Sequence, residues 1–172
     1  MKVNVSPITP MNQQRIRRRI YIWTVIFIVA LVLSGITAFP LDYEITWLNA
    51  NKELFPEMFH EWISKVYEGI HNTSENYPFM AYGTDWLAFA HIAIGLAFIG
   101  PLRDPVKNKW VIEWAILCCI FIIPVTIVAG HVRGIPFYHQ IIDCSFGIFG
   151  LIPLLIVHKY IIQLEMSNKH FT

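Results

Sequence analysis

Four apolar runs, each near the length of a membrane crossing, constrain this chain more than any other feature. They cover about residues 20–39, 85–101, 109–130 and 136–158. A hydrocarbon core needs roughly 20 residues of upright helix. No water is present there to satisfy bare peptide groups, so each run is predicted to be helical. The first run carries no charge. The second holds Asp85 and His91, the third Glu113 near its start, and the fourth His139, Gln140 and Asp143. Apolar residues make up 55% of the chain and charged ones 15%, against roughly 45–50% and 25% in soluble domains. The expected fold class is all-α: a polytopic membrane protein built as a four-transmembrane-helix bundle. A net charge of +1 gives no surface for binding nucleic acid. Three cysteines cannot form a disulfide framework.

A basic stretch precedes the first run, as in a signal peptide, but the run is long and no small-x-small cleavage pattern follows it. It is read as a span that Pro40 ends. Orientation follows from Lys and Arg in the connections. Lys2, Arg15, Arg17, Arg18 and Arg19 precede span one. Arg103, Lys107 and Lys109 lie between spans two and three, and Lys159 and Lys169 follow span four. Lys52, Lys65 and Arg133 fall on the other side. Both termini are therefore expected to be cytoplasmic. Residues 1–19 form a basic cytoplasmic segment, irregular over 1–14. Residues 20–164 form the membrane domain, 40–84 its outer loop, and 165–172 a cytoplasmic tail.

The outer loop is not a plain linker. Phe55, Phe59, Trp62, Ile63, Val66 and Ile70 recur at helical spacing, with Pro56 suited to a first helical position. An amphipathic helix is predicted there, capping the bundle or lying on the outer surface. His60 and His71 share a face of that helix and are read as solvated. Pro101 to Pro105 is read as a rigid turn, and His158 as an ordinary boundary residue. Pro124 and Pro153 are expected to kink their helices.

Ionisable groups inside spans are costly and mark function or a specific internal pair. Asp85 and His91 on span two, and His139 and Asp143 on span four, all fall toward the outer leaflet. His131 and Arg133 lie in the short outer turn between spans three and four. The stripe His139, Asp143, Gly147, Gly150 on span four and the face Ala88, His91, Gly95 on span two are expected to meet around an outer-leaflet cavity. Arg133 would gate an anionic group at its mouth.

Several readings fit these residues. Two histidines from different helices can ligate a b-type haem, His91 opposite His131 or His139, in a redox subunit linked to haem or quinone. Asp85, His91, His139 and Asp143 are the ligand types of a divalent metal, whose bound water would make a membrane hydrolase. The same groups can instead be a satisfied polar network that sets helix register. Asp85 would then cap span two, Asp143 would pair with Arg133 or His139, and His91 would bond a carbonyl or Ser145. An accessory subunit of a larger membrane complex needs no chemistry of its own. Partners other than lipid are in that case further membrane subunits.

The strings Tyr82-Gly83-Thr84-Asp85-Trp86-Leu87-Ala88, Gly100-Pro101-Leu102-Arg103-Asp104-Pro105, Arg133-Gly134-Ile135-Pro136 and Asp143-Cys144-Ser145-Phe146-Gly147 carry a resemblance over roughly residues 20–165. In them the chain resembles a group of small four-span bacterial inner-membrane proteins. That resemblance implies a fold and an inner-membrane location and carries no chemistry.

Overall fold

A computed structural model describes residues 10–169. Helix accounts for 89% of it, and no strand occurs among the described residues. The helices are α1 (Pro10–Ile36), α2 (Leu41–Ala50), α3 (His60–Asn76), α4 (Tyr82–Ala97), α5 (Ile99–Arg103), α6 (Lys109–Arg133) and α7 (Phe137–Lys169). Short 3₁₀ turns occupy Lys52–Leu54, Glu57–Phe59 and Pro78–Ala81.

Four segments are long and apolar enough to cross a membrane: Met11–Ile36, Pro78–Arg103, Lys109–Arg133 and Phe137–Ser167. Only 17–22% of each apolar window is buried inside the protein. Leu33, Phe121, Val128 and Phe149 are among the large side chains left outside. Such a surface drives association in water and is the ordinary outer face of a helix in lipid. The four helices are compatible with a multi-pass membrane protein.

The chain divides into two compact units, Met1–Val29 with Ala97–Thr172, and Ala30–Leu96. In the first, α6 and α7 form a hairpin. Gly134 sits in the left-handed region at φ 66°, where a Cβ is disfavoured, and the Ile135 N–H donates to the Gly130 carbonyl at 2.9 Å. That bond closes α6 and turns the chain into Pro136, one residue before α7. The two helices run antiparallel, with Gly130 against Gln140, Cys119 against Gly147 and Gly150, and Lys109 against Glu165. Ile112, Ala115 and Cys119 of α6 and Leu154, Val157, Ile161 and Leu164 of α7 are buried. The start of α1 lies antiparallel to the end of α7. Gln13 Nε2 donates to Ser167 Oγ at 2.8 Å, and Arg19 donates to the Tyr160 hydroxyl at 2.8 Å. The Phe27 and Phe98 rings pack 4.9 Å apart.

In the second unit α2 and α3 are antiparallel. Asp42 meets His71, and Asn49 accepts a hydrogen bond from Ser64 at 3.1 Å. Ser64 in turn accepts from Lys52 at 3.0 Å. Ile63 is the buried apolar residue of α3. Gly35 of α1 lies against Ala88 and His91 of α4.

Several boundaries differ from the sequence reading. Of the segment expected to be irregular, residues 1–9 lie outside the described residues, while 10–14 are helical. Gln13 through Arg19, polar except for Ile16, are mostly good helix formers, so α1 begins well before its apolar part. The outer loop holds two helices rather than one. The amphipathic helix starts at His60, with Pro56 ahead of a 3₁₀ turn rather than at a first helical position. The last helix runs past residue 158 to Lys169, because Ile161 and Leu164 continue its buried face. The tail expected at 165–172 is therefore helical over 165–169, and 170–172 lie outside the described residues. The stretch read as a rigid turn at 101–105 is helical through Arg103. Pro101 has no N–H for the Ala97 carbonyl, and the path breaks between α4 and α5 at that point. Both α6 and α7 continue through their internal prolines.

Candidate functional site

The expected site residues fall into the two units. Asp85 and His91 belong to the unit of residues 30–96. His131, Arg133, His139 and Asp143 belong to the other.

On α4, Asp85 stands in the first helical turn, where a carboxylate complements the helix dipole. It lines a shallow groove of about 200 Å³ with Tyr82, Trp86 and Phe89. The rings of that groove stack edge to face, Tyr82 on Trp86 at 5.9 Å and Trp86 on Phe89 at 5.7 Å. Thr84 donates to the Ala81 carbonyl at 2.7 Å, and because α4 begins at Tyr82, Asp85 lies inside the helix rather than at the capping position expected of it.

His91 lies two turns further along. Its Nδ1 is 2.8 Å from the Leu87 carbonyl of the same helix. A carbonyl only accepts, so Nδ1 carries a proton, and the neutral ring with this tautomer presents its lone pair at Nε2. The expectation that His91 bonds a carbonyl is met within its own helix. Ser145, the alternative partner, instead donates to the Ile142 carbonyl at 2.5 Å. Opposite His91 stands Gly35, where any Cβ would come within 2.6 Å of the His91 Cβ and 3.0 Å of the Ala88 carbonyl oxygen. Glycine at this point lets α1 and α4 touch backbone to backbone, and that contact holds the base of the imidazole.

In the other unit, His131 and Arg133 occupy the last turn of α6 and are exposed. Positive groups suit a helix C-terminus. His139 and Asp143 are one turn apart on α7, with Nε2 3.8 Å from the carboxylate. Both are roughly 40% exposed as side chains, so this pair is half-buried. Of the two partners expected for Asp143, His139 is the one beside it. Within neither unit do three His, Cys, Asp or Glu side chains among the described residues gather into a set fit to hold a metal ion.

Two polar clusters extend beyond what the sequence pattern gives. In the first, His71 bridges two carboxylates: Nδ1 is 3.0 Å from Asp42 and Nε2 3.5 Å from Glu75. Tyr67 stacks on its ring at 5.0 Å. His60 likewise meets the Phe55 carbonyl at 2.8 Å and Glu53 at 3.8 Å. The histidines read as solvated are therefore engaged. The i,i+4 spacing of His71 and Glu75 was a visible signal, but the Asp42 contact depends on α2. In the second cluster, Glu113 of α6 lies 3.2 Å from His158 of α7 and 4.0 Å from Lys109. Lys109 also reaches Glu165 at 3.0 Å. His158 is thus a partner of Glu113 across the hairpin rather than a bystander. These are charge-assisted contacts at the polar end of the spans, and they fix the register of α6 against α7.

No protein-family model, no curated protein and no solved structure matches the chain. The functional reading therefore rests on the residues themselves.

Proposed function

We propose that this chain is a four-helix-bundle protein of the bacterial inner membrane, with both termini cytoplasmic, that serves as a redox membrane subunit in which His91 engages haem b or a quinone. The observation that carries this is the His91 ring. A histidine that ligates iron through Nε2 usually gives its Nδ1 proton to a carbonyl or carboxylate, which sets the tautomer and the ring orientation. The Leu87 carbonyl takes that proton here at 2.8 Å. The remaining Nε2 lone pair suits an iron, or a hydrogen bond from a quinol hydroxyl. A small residue at position 35 holds the ring without covering it with a side chain. The shared side of the termini is supported by the Gln13–Ser167 bond, which ties the start of α1 to the end of α7. The cytoplasmic assignment is supported by the excess of Lys and Arg in that half of the connections.

A second reading is that of an accessory subunit without chemistry. It is favoured by the number of polar groups that find partners within their own unit, including Gln140 on the Ile135 carbonyl at 2.8 Å and the Lys109–Glu165 pair.

The absorption spectrum of the full chain, purified in mild detergent from haem-replete cells, tests the first reading. A Soret band is expected, and it disappears in His91→Ala while persisting in His71→Ala, which alters a histidine of the α2–α3 pair. For a quinone the readout is bound quinone in a solvent extract, with the same dependence on His91. A colourless protein that carries no quinone leaves the accessory reading.

A further inference from the structure

We propose that a groove between the start of α1 and α5 binds a phosphate group, the headgroup of an anionic phospholipid being the source its position favours. The groove has a volume of about 420 Å³ and is lined by Arg17, Arg18 and Arg103 over Ile20, Pro101 and Pro105. It lies wholly within the unit of α1, α6 and α7. This inference depends on the chain crossing a membrane but not on any role for His91.

Three features point to an anion rather than to a bare orientation signal. The first is the state of the cations. Arg19, the neighbouring arginine, is committed: it donates to the Tyr160 hydroxyl at 2.8 Å and lies 5.5 Å above that ring. Among the described residues, Arg17, Arg18 and Arg103 have no carboxylate partner. Asp104, next to Arg103 in the sequence, accepts the Lys107 N–H at 3.1 Å within its own turn. Three guanidiniums around one groove without a counter-ion repel one another, and a phosphate relieves that repulsion while matching their forked donors.

The second is the build of the site. Ile20 is 2% exposed, and Pro101 and Pro105 are buried, so the floor is rigid and dry. Asn108 braces the connection behind it, donating to the Gly100 carbonyl at 3.2 Å and the Asp104 carbonyl at 2.9 Å. An orientation signal requires charge near a span and no such floor. The third is depth. The apolar part of α1 begins at Ile20, so Arg17 and Arg18 stand within one turn of its polar end. Headgroup phosphates lie at that level, and basic pockets there recruit anionic lipid.

Native mass spectrometry of the full chain, titrated in detergent with phosphatidylglycerol or phosphatidylcholine, reads the preference. Wild type is expected to retain phosphatidylglycerol about tenfold better than phosphatidylcholine, and R17A/R18A/R103A to lose that preference. R17K/R18K/R103K preserves the charges that direct insertion and loses the fork geometry, so its preference falls at least about threefold even if the alanine variant does not insert. R15A/K107A removes two charges outside the groove and leaves the preference intact. Thermal stabilisation by inorganic phosphate, lost in the same groove variants and without a lipid preference, retains the anion site and makes a soluble phosphate its source. Equal retention of both lipids with no effect of phosphate overturns the proposal, as does an undiminished preference in the inserted lysine variant.

Discussion

Gly147→Leu is expected to destabilise the α6–α7 hairpin by about 3 kcal/mol, the upper part of the range for overpacked interiors. At this position a Cβ would stand 2.7 Å from the Cys119 carbonyl oxygen and 3.3 Å from the Ile122 Cβ. The first of those neighbours is backbone, so it cannot swing aside as a flexible side-chain end would. The helices must separate, and in lipid they gain nothing hydrophobic by doing so. Helix association in a bilayer depends on close van der Waals contact through small residues, and a leucine here removes that contact along the centre of the hairpin. Gly69→Leu is the control, because a Cβ at Gly69 meets nothing within 4 Å. Its effect is expected to stay within about 0.5 kcal/mol. Unfolding in mixed micelles, followed by far-ultraviolet circular dichroism, measures both. Equal midpoints for the two variants would contradict the packing described for α6 and α7.

Leu154→Ala is expected to cost about 2 kcal/mol, and Phe149→Ala less than about 0.5 kcal/mol, although phenylalanine is the larger side chain. Leu154 is 1% exposed, whereas Phe149 is 68% exposed. In a water-soluble protein the outward aromatic ring would be the anomaly. In a bilayer its place is taken by acyl chain after truncation, so little dispersion is lost. At Leu154 no lipid can enter, and the cavity forfeits its contacts outright. The cost stays near the low end for buried leucine, because apolar transfer from lipid to protein interior contributes little. The same micelle titration reads it. A larger loss at Phe149 than at Leu154 would mean that the outward face of α7 is covered by protein.

The four spans were legible because about 20 apolar residues in a row have few other uses. Their ends were not, because the signal that marks a span is hydropathy, whereas helix continuity depends on propensity and neighbours. Gln13 to Arg19 extend α1 through mostly good helix formers, and Ile161 with Leu164 extend α7 through a buried stripe that hydropathy alone does not separate from the interface. Helix α2 was hidden for a different reason. Leu41 to Ala50 mixes Asp42, Glu44 and Asn49 into a short apolar segment, and its helical state is supported by α3 through Asp42–His71 and Asn49–Ser64.

The candidate site was legible at the level of residue type. Costly side chains in spans drew attention to His91, His139 and Asp143, and two of those three are one turn apart on α7. What one sequence cannot show is the partner of each polar atom. The Leu87 carbonyl that sets the His91 tautomer is a backbone group, invisible to any reading of side-chain pattern. The Glu113–His158 and Lys109–Glu165 contacts join residues 45 and 56 positions apart, and they follow from the antiparallel register of α6 and α7.

The topology we propose has four crossings, with both chain ends and the arginine groove on the cytoplasmic side and α2 and α3 outside. Cysteine accessibility in intact spheroplasts tests this most directly, in a chain whose Cys118, Cys119 and Cys144 are replaced by alanine. With a membrane-impermeant maleimide, Glu68→Cys on α3 is predicted to label at once. Asn12→Cys on α1 and Lys107→Cys before α6 are predicted to label only after lysis. Labelling of Lys107→Cys in intact spheroplasts, or protection of Glu68→Cys, would contradict the account.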